Sequence, residues 1–144
     1  MFSKTCEYAL KAMIFICSQS GKGKRVCLQD IAEEIDSPVS FTYKVLQKLC
    51  KKNLLASLKG PTGGYYISED NAKTLRIAEI VFAIDGNDIL ERCALGLKQC
   101  TPAEPCPMHN DFIKIRLQIR SLLMDKTLYG LSLYYKSGNT VLTN

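Results

Sequence analysis

The sequence predicts a mainly α-helical fold, a winged helix-turn-helix carrying a small two-stranded wing and a long C-terminal helix suited to dimerisation. Three observations predict it. Leu28, Ile31, Ala32 and Ile35 repeat at the i, i+3, i+4, i+7 spacing of one helix face. After a break at Asp36-Ser37-Pro38, Phe41, Val45, Leu46, Leu49 and Cys50 fall on one half of a second helix over residues 39–52. The turn Gly60-Pro61-Thr62-Gly63-Gly64 then separates two short strand candidates, residues 56–58 and 65–67.

Taken in order, Ser3 is placed to cap a helix over residues 4–18, with Tyr8, Ala9, Ala12, Met13 and Ile16 on one stripe and Leu10, Ile14 and Cys17 on another. Gly21-Lys22-Gly23-Lys24 reads as an exposed turn. The 28–35 helix supports the one after it, for which Ser37 is the expected N-cap and Pro38 the first helical residue. Ile77, Ile80, Val81 and Ile84 mark a further helix that stops at Asp85-Gly86. A long helix follows from about residue 111 to 126. Phe112, Ile115, Ile119 and Leu122 form one of its stripes and Ile113, Leu117 and Met124 another. Two apolar faces need two surfaces to cover them, and the simplest second surface is another copy of the chain. The resulting division is a winged-helix domain at 1–86, a cysteine-containing sensor loop at 87–110, a dimerisation helix at 111–135 and a flexible tail at 136–144.

Charge selects a face. Between Ser37 and Ser68 there are five lysines (Lys44, Lys48, Lys51, Lys52, Lys59) and no Asp or Glu. The whole chain has 19 basic and 14 acidic residues, so this stretch carries the entire formal excess of +5. Ser40, Tyr43, Lys44, Gln47, Lys48 and Lys51 lie on the outer half of the second helix, where lysines meet phosphates and hydroxyl or amide groups meet base edges. Lys59, Gly60, Pro61, Thr62 and Gly63 extend the same surface through the wing. The expected partner is double-stranded DNA.

Composition narrows the class. A hydrophobic fraction of 47% over 144 residues suits a folded domain. The start Met1–Glu7 lacks the basic and apolar segments of a signal peptide, and no apolar run is long enough for a membrane span. A cytoplasmic location is therefore expected, with seven reduced or metal-bound cysteines. One histidine, no C-x-x-C pair, no phosphate loop and no G-x-S-x-G leave little for an enzyme to work with, and no small-molecule substrate is expected.

Cys93, Cys100, Cys106 and His109 form C-x6-C-x5-C-x2-H in a stretch whose prolines and glycine keep it out of regular structure. Such a loop can close around an iron–sulfur cluster or a Cys3His zinc ion, although the tight C-x2-C hooks usual for zinc are absent. It can also form a thiol–disulfide switch, and three incidental thiols remain the bland alternative. Spacing alone does not choose between cluster and switch. Cys6, Cys17, Cys27 and Cys50 sit among apolar neighbours and read as small buried hydrophobes.

Several stretches together resemble the Rrf2 family of winged-helix transcription regulators. They are Glu7-Tyr8-Ala9-Leu10-Lys11, Asp30-Ile31-Ala32-Glu33, Leu58-Lys59-Gly60-Pro61-Thr62-Gly63-Gly64-Tyr65, Ala83-Ile84-Asp85-Gly86, the three cysteines and Thr127-Leu128. The wing is the most specific of these, and the likeness covers nearly the whole chain. The resemblance implies a homodimer with crossing long helices on a partly palindromic operator. It also implies a 2Fe–2S or 4Fe–4S cluster held by Cys93, Cys100 and Cys106. His109 matches the histidine that completes the site in some members, and Glu7 the acidic ligand that others supply from the partner subunit. This chain departs in having six residues between its first two cysteines, where related members usually have five, and in carrying Lys59 where many members have arginine.

Overall fold

A computed structural model describes residues 1–21 and 23–143. Lys22, in the expected turn, and Asn144, at the end of the expected tail, lie outside the described residues. Eight helices and one hairpin follow in order: α1 (Lys4–Ser20), α2 (Leu28–Glu34), α3 (Val39–Lys51), β1 (Ala56–Leu58), β2 (Gly64–Tyr66), α4 (Glu69–Thr74), α5 (Ile77–Asp85), α6 (Asp88–Glu91), α7 (His109–Asp125) and α8 (Leu128–Lys136).

α1 starts where Ser3 was expected to cap it, the Ser3 hydroxyl accepting from the Cys6 N–H at 3.0 Å. Its Ala9, Ala12, Met13 and Ile16 are buried. Small residues alternating with large ones let α8, α5 and α3 approach it from several sides. α3 docks on α2 through Val45, Leu46 and Leu49, and on α1 through Phe41, whose ring meets Tyr8 edge-on at 5.5 Å. Each fully buried Leu or Ile on these faces contributes about 1.5–3 kcal/mol of transfer free energy. Thr42 is buried as well, its hydroxyl donating to the Pro38 carbonyl at 2.9 Å.

The α2–α3 turn differs from the expectation. Pro38 is the cap residue and Val39 the first helical one. Ser37 caps nothing: its hydroxyl is buried without a partner, and its N–H donates to the Ala32 carbonyl. The break is made instead by Asp36 at φ 51, a left-handed conformation that a short polar side chain tolerates, followed by the proline.

The wing is an antiparallel pair with Ala56 opposite Tyr66, Ser57 opposite Tyr65 and Leu58 opposite Gly64. Val26 adds a third line of pairing, giving and receiving backbone hydrogen bonds with Tyr65 at 2.9 and 2.8 Å. Gly64 makes that approach feasible. Its φ is +144, and a Cβ there would stand 2.8 Å from the Val26 oxygen. At Gly63 a Cβ would fall 2.0 Å from the Leu58 oxygen, so the turn itself requires glycine.

α5 ends as expected at Gly86, with φ 71. The stretch 111–135 is not one helix. It breaks at Lys126-Thr127, where Arg76 and Thr127 form a β-bridge and the Ile77 N–H reaches the Lys126 carbonyl at 3.0 Å. α8 then turns back against α1 and α4, within the winged-helix body. α7 buries only Leu123 fully, with Phe112 and Ile119 half-buried. Ile115 and Leu122, expected on the inner stripe, are exposed with Ile113, Leu117 and Met124. Beyond α8 the chain is turns, with Thr140 reaching back to the Tyr134 carbonyl.

Candidate thiolate centre and nucleic-acid interface

The loop between α6 and α7 brings its three cysteines together. The sulfurs of Cys93, Cys100 and Cys106 lie within 4.8 Å of one another. The Cys93 thiol donates a hydrogen bond to the Cys106 sulfur at 3.7 Å, and the Cys106 N–H points at the Cys100 sulfur at 3.4 Å. Local turns hold the arrangement: the Gly96 N–H donates to the Cys93 carbonyl, and the His109 N–H to the Cys106 carbonyl. Gly96 has φ 71, which only glycine takes readily. All seven cysteines of the chain are free thiols.

His109 opens α7 and turns its Nδ1 to the Cys100 sulfur at 3.1 Å. It touches one thiol and is not a fourth member of the convergent group. Its Nε2 is buried with no hydrogen-bond partner. Three converging sulfurs, with an imidazole bonded to one of them and its other ring nitrogen buried and unpartnered, make a donor set with capacity unused. A soft metal centre fits it, because thiolate and imidazole are the ligands such centres take.

The electrostatics set one thiol apart. The backbone N–H of Leu97 holds Cys93 down at about 7, helped by that of Leu95 and by the neighbouring thiols, against partial desolvation. Cys100 moves up: the Cys106 N–H opposes the shift, and partial burial with the thiols of Cys106 and Cys93 outweighs it. Glu7, on the first turn of α1, is paired with Lys4 at 2.9 Å, which lowers its carboxyl pKa, and it is not part of the sulfur group within the chain.

α3 turns Ser40, Tyr43, Lys44 and Lys51 outward. Gln47 is half-buried and reaches toward the Tyr65 hydroxyl. Lys48 departs from the expected set. Its ammonium donates to the Ile84 carbonyl at 3.1 Å, in the last turn of α5, where a cation meets the negative end of the helix. At the wing tip Lys59, Gly60, Pro61 and Thr62 are exposed and Gly63 is half-buried.

With both features in place, comparison with known proteins decides the family. The family model described as "Rrf2: Iron-dependent Transcriptional regulator" matches residues 2–132. The chain belongs to the Rrf2 family of transcriptional regulators.

Relatives of this Rrf2 protein include the HTH-type transcriptional regulator IscR of Photorhabdus laumondii, 33% identical over 72% of this chain and 61% of that protein. IscR of Sodalis glossinidius is 30% identical over 85% of this chain and 72% of the relative. In three dimensions the fold matches CymR (YrzC), titled the global cysteine regulator of B. subtilis, with TM-score 0.77 and 24% identity over 93% of this chain and 97% of that one. It also matches IscR of T. potens, with TM-score 0.74 and 19% identity over 98% and 92%. Among the described residues no helix is long and apolar enough to cross a membrane.

Two side chains at these sites escaped the sequence reading. Arg25 lies against the wing, its guanidinium 5.5 Å from the centre of the Tyr66 ring. Arg25 precedes the acid-free stretch, so only the Val26–Tyr65 bridge, a long-range pairing, reveals where it sits. Cys27, expected to be a buried hydrophobe, is exposed at the N-cap of α2, while Cys6 and Cys17 are buried and Cys50 half-buried. Burial first, then the negative charge of Asp85, pushes the Cys6 thiol up to about 12.

Proposed function

We propose that this Rrf2 protein binds a duplex operator as a homodimer, and that an iron–sulfur cluster held by Cys93, Cys100 and Cys106 controls that binding. The observation that carries the proposal is the convergence of three sulfurs within 4.8 Å beside a buried, unpartnered His109 Nε2. His109 is the fourth ligand we assign, since Glu7 is engaged with Lys4 on α1. When bound, the cluster supplies one-electron redox chemistry and a bond to each of three thiolates.

The chain's own residues give that ligation structural leverage. Cys93 follows Arg92, the C-cap of α6, and His109 is the first residue of α7. Ligands at both ends of the loop tie the start of the long helix to the end of the winged-helix body. The exposed apolar face of α7 supports pairing with a second copy, whose α3 would address the other half-site about one helical turn away. Ser40, Tyr43, Lys44, Gln47 and Lys51 on α3, with Lys59, Gly60, Pro61 and Thr62 at the wing, are the DNA-contacting set. Gly63 shapes the turn, and Lys48 is left to α5.

The test is anaerobic expression with iron and sulfide supplied, followed by visible absorption and metal analysis. Wild type is expected to be coloured and to contain iron and acid-labile sulfide, and Cys93→Ala, Cys100→Ala and Cys106→Ala to lose both. A colourless, iron-free wild type with Cys93→Ala indistinguishable from it in DNA binding sinks the cluster assignment.

One contact favours a second reading, a thiol switch on the same DNA-binding body: Cys93 and Cys106 are already 3.7 Å apart, a short movement from disulfide bonding. Mass analysis under non-reducing conditions after mild oxidation separates the two. A Cys93–Cys106 link that changes DNA affinity in iron-free protein supports the switch; thiols that stay free remove it.

A further inference from the structure

Arg25 presents a cation to the wing. It precedes Val26, the residue paired with Tyr65 of β2, and its side chain runs along the outside of the hairpin. The guanidinium lies over the Tyr66 ring at 5.5 Å, and Nη1 donates to the Thr62 carbonyl at 3.4 Å, in the turn that forms the wing tip. Thr62 and Tyr66 thus hold one edge and one face of the group. The ion pairs of the described residues are Lys4–Glu7 and Lys73–Glu69, and neither involves Arg25. Asp30, Glu33 and Glu34 line the same cleft as Arg25, where Glu34 accepts the Tyr135 hydroxyl. The remaining donors of the guanidinium fork are free of any carboxylate.

We infer that Arg25 is a phosphate-binding residue of the DNA interface, gripping the duplex backbone beside the wing. The inference rests on the DNA-binding reading above. A guanidinium offers five N–H donors in a planar fork that matches two phosphate oxygens. Stacking on Tyr66 and bonding to Thr62 fix the fork before DNA arrives, so little side-chain freedom remains to be lost on binding. The contact with Thr62 places the guanidinium beside the wing turn, on a third chain segment. That segment lies outside the acid-free stretch, and its role is independent of base sequence.

The experiment measures binding of the full chain to a mixed-sequence duplex of roughly 30 base pairs, about three helical turns, across a salt series. Wild type is expected to bind with a steep salt slope. Arg25→Gln is expected to lower that slope by about 1 and weaken binding about tenfold at low salt, equally on duplexes of different sequence. Arg25→Lys restores the slope and only part of the affinity. Tyr66→Leu keeps the charge and therefore the slope, while losing a few-fold in affinity through loss of the stack. Thermal melting of each variant accompanies the binding data, because a wing staple that never meets DNA would change melting and leave the salt slope untouched. That result, or an Arg25→Gln effect confined to particular sequences, overturns the assignment. A wild type that binds no duplex in a salt-sensitive way overturns the DNA-binding reading and this one with it, whereas a salt-sensitive wild type matched by Arg25→Gln removes this one alone.

Discussion

Replacing Leu117 by glutamate is expected to split the proposed α7-mediated dimer. Leu117 lies mid-way along α7 and is 61% exposed in the isolated chain, with Leu122 at 58% on the same helix. Burying a whole leucine side chain contributes about 1.5–3 kcal/mol, so covering the exposed part of Leu117 contributes about 1–2 kcal/mol. In a two-fold symmetric interface the residue counts twice, giving about 2–4 kcal/mol per dimer. At 1.4 kcal/mol per decade, the dissociation constant should rise roughly 30- to 700-fold for loss of burial alone. A buried carboxylate adds to this, so the range is a lower bound. Sedimentation equilibrium over a concentration series reads the change directly, with circular dichroism to confirm that the monomer keeps its helices. Because Leu117 supports no core contact within the protomer, the helical content should hold. If Leu117→Glu and wild type give the same mass at every concentration, α7 is not the interface and the account of its exposed face is wrong.

Two further outcomes follow from the hydrogen bonds. Lys44→Ala is expected to lower the salt slope of DNA binding by about 1, whereas Lys48→Met should leave the slope unchanged, because its ammonium is bound to the Ile84 carbonyl; a drop at Lys48 equal to that at Lys44 would return it to the DNA face. Tyr135 donates to Glu34, and partial burial with that bond raises its pKa from 10 to about 12. A folded-state pKa above the unfolded value means the contribution is complete below pH 10 and is lost as pH rises toward 12. Melting temperature in that window should therefore fall more steeply for wild type than for Tyr135→Phe, and parallel curves would contradict the assignment.

The elements that could be read in advance are those with a dense local signal. α2, α3 and α5 each repeat apolar residues at helical spacing, and α5 is closed by a glycine that the structure uses at positive φ. The wing was legible because Gly63 and Gly64 sit where neighbouring backbone leaves no room for a Cβ. The three cysteines converge as their irregular, proline-rich loop suggested. What stayed hidden depends on distant partners. α4 is six residues long and buries only Ala72, too little for a periodic pattern. Thr127 ends α7 by pairing with Arg76, about fifty residues away in the chain. Ser37 has the composition of a cap, but Asp36 and Pro38 set the backbone first. Helical spacing put Lys48 on the outer face correctly and could not foresee the Ile84 carbonyl within its reach.

The Lys48–Ile84 contact is one of several that tie α5 to its neighbours. α5 is bonded at both ends. At its start the Ile77 N–H reaches the Lys126 carbonyl and the Leu75 carbonyl accepts from Leu128, which fixes α5 to the junction of α7 and α8. At its end Lys48 of α3 holds the Ile84 carbonyl, while the backbone N–H and hydroxyl of Ser3 both donate to the Asp85 carboxylate. Between these ends Ile77, Ala78, Ile80, Val81 and Ile84 are buried, so the helix has no slack face along which to slide. The cysteine loop begins beyond α6, which follows this second junction, and finishes at the first residue of α7. The exposed Lys48 of α3 thus reaches the C-terminal end of α5, the helix that also packs against α7.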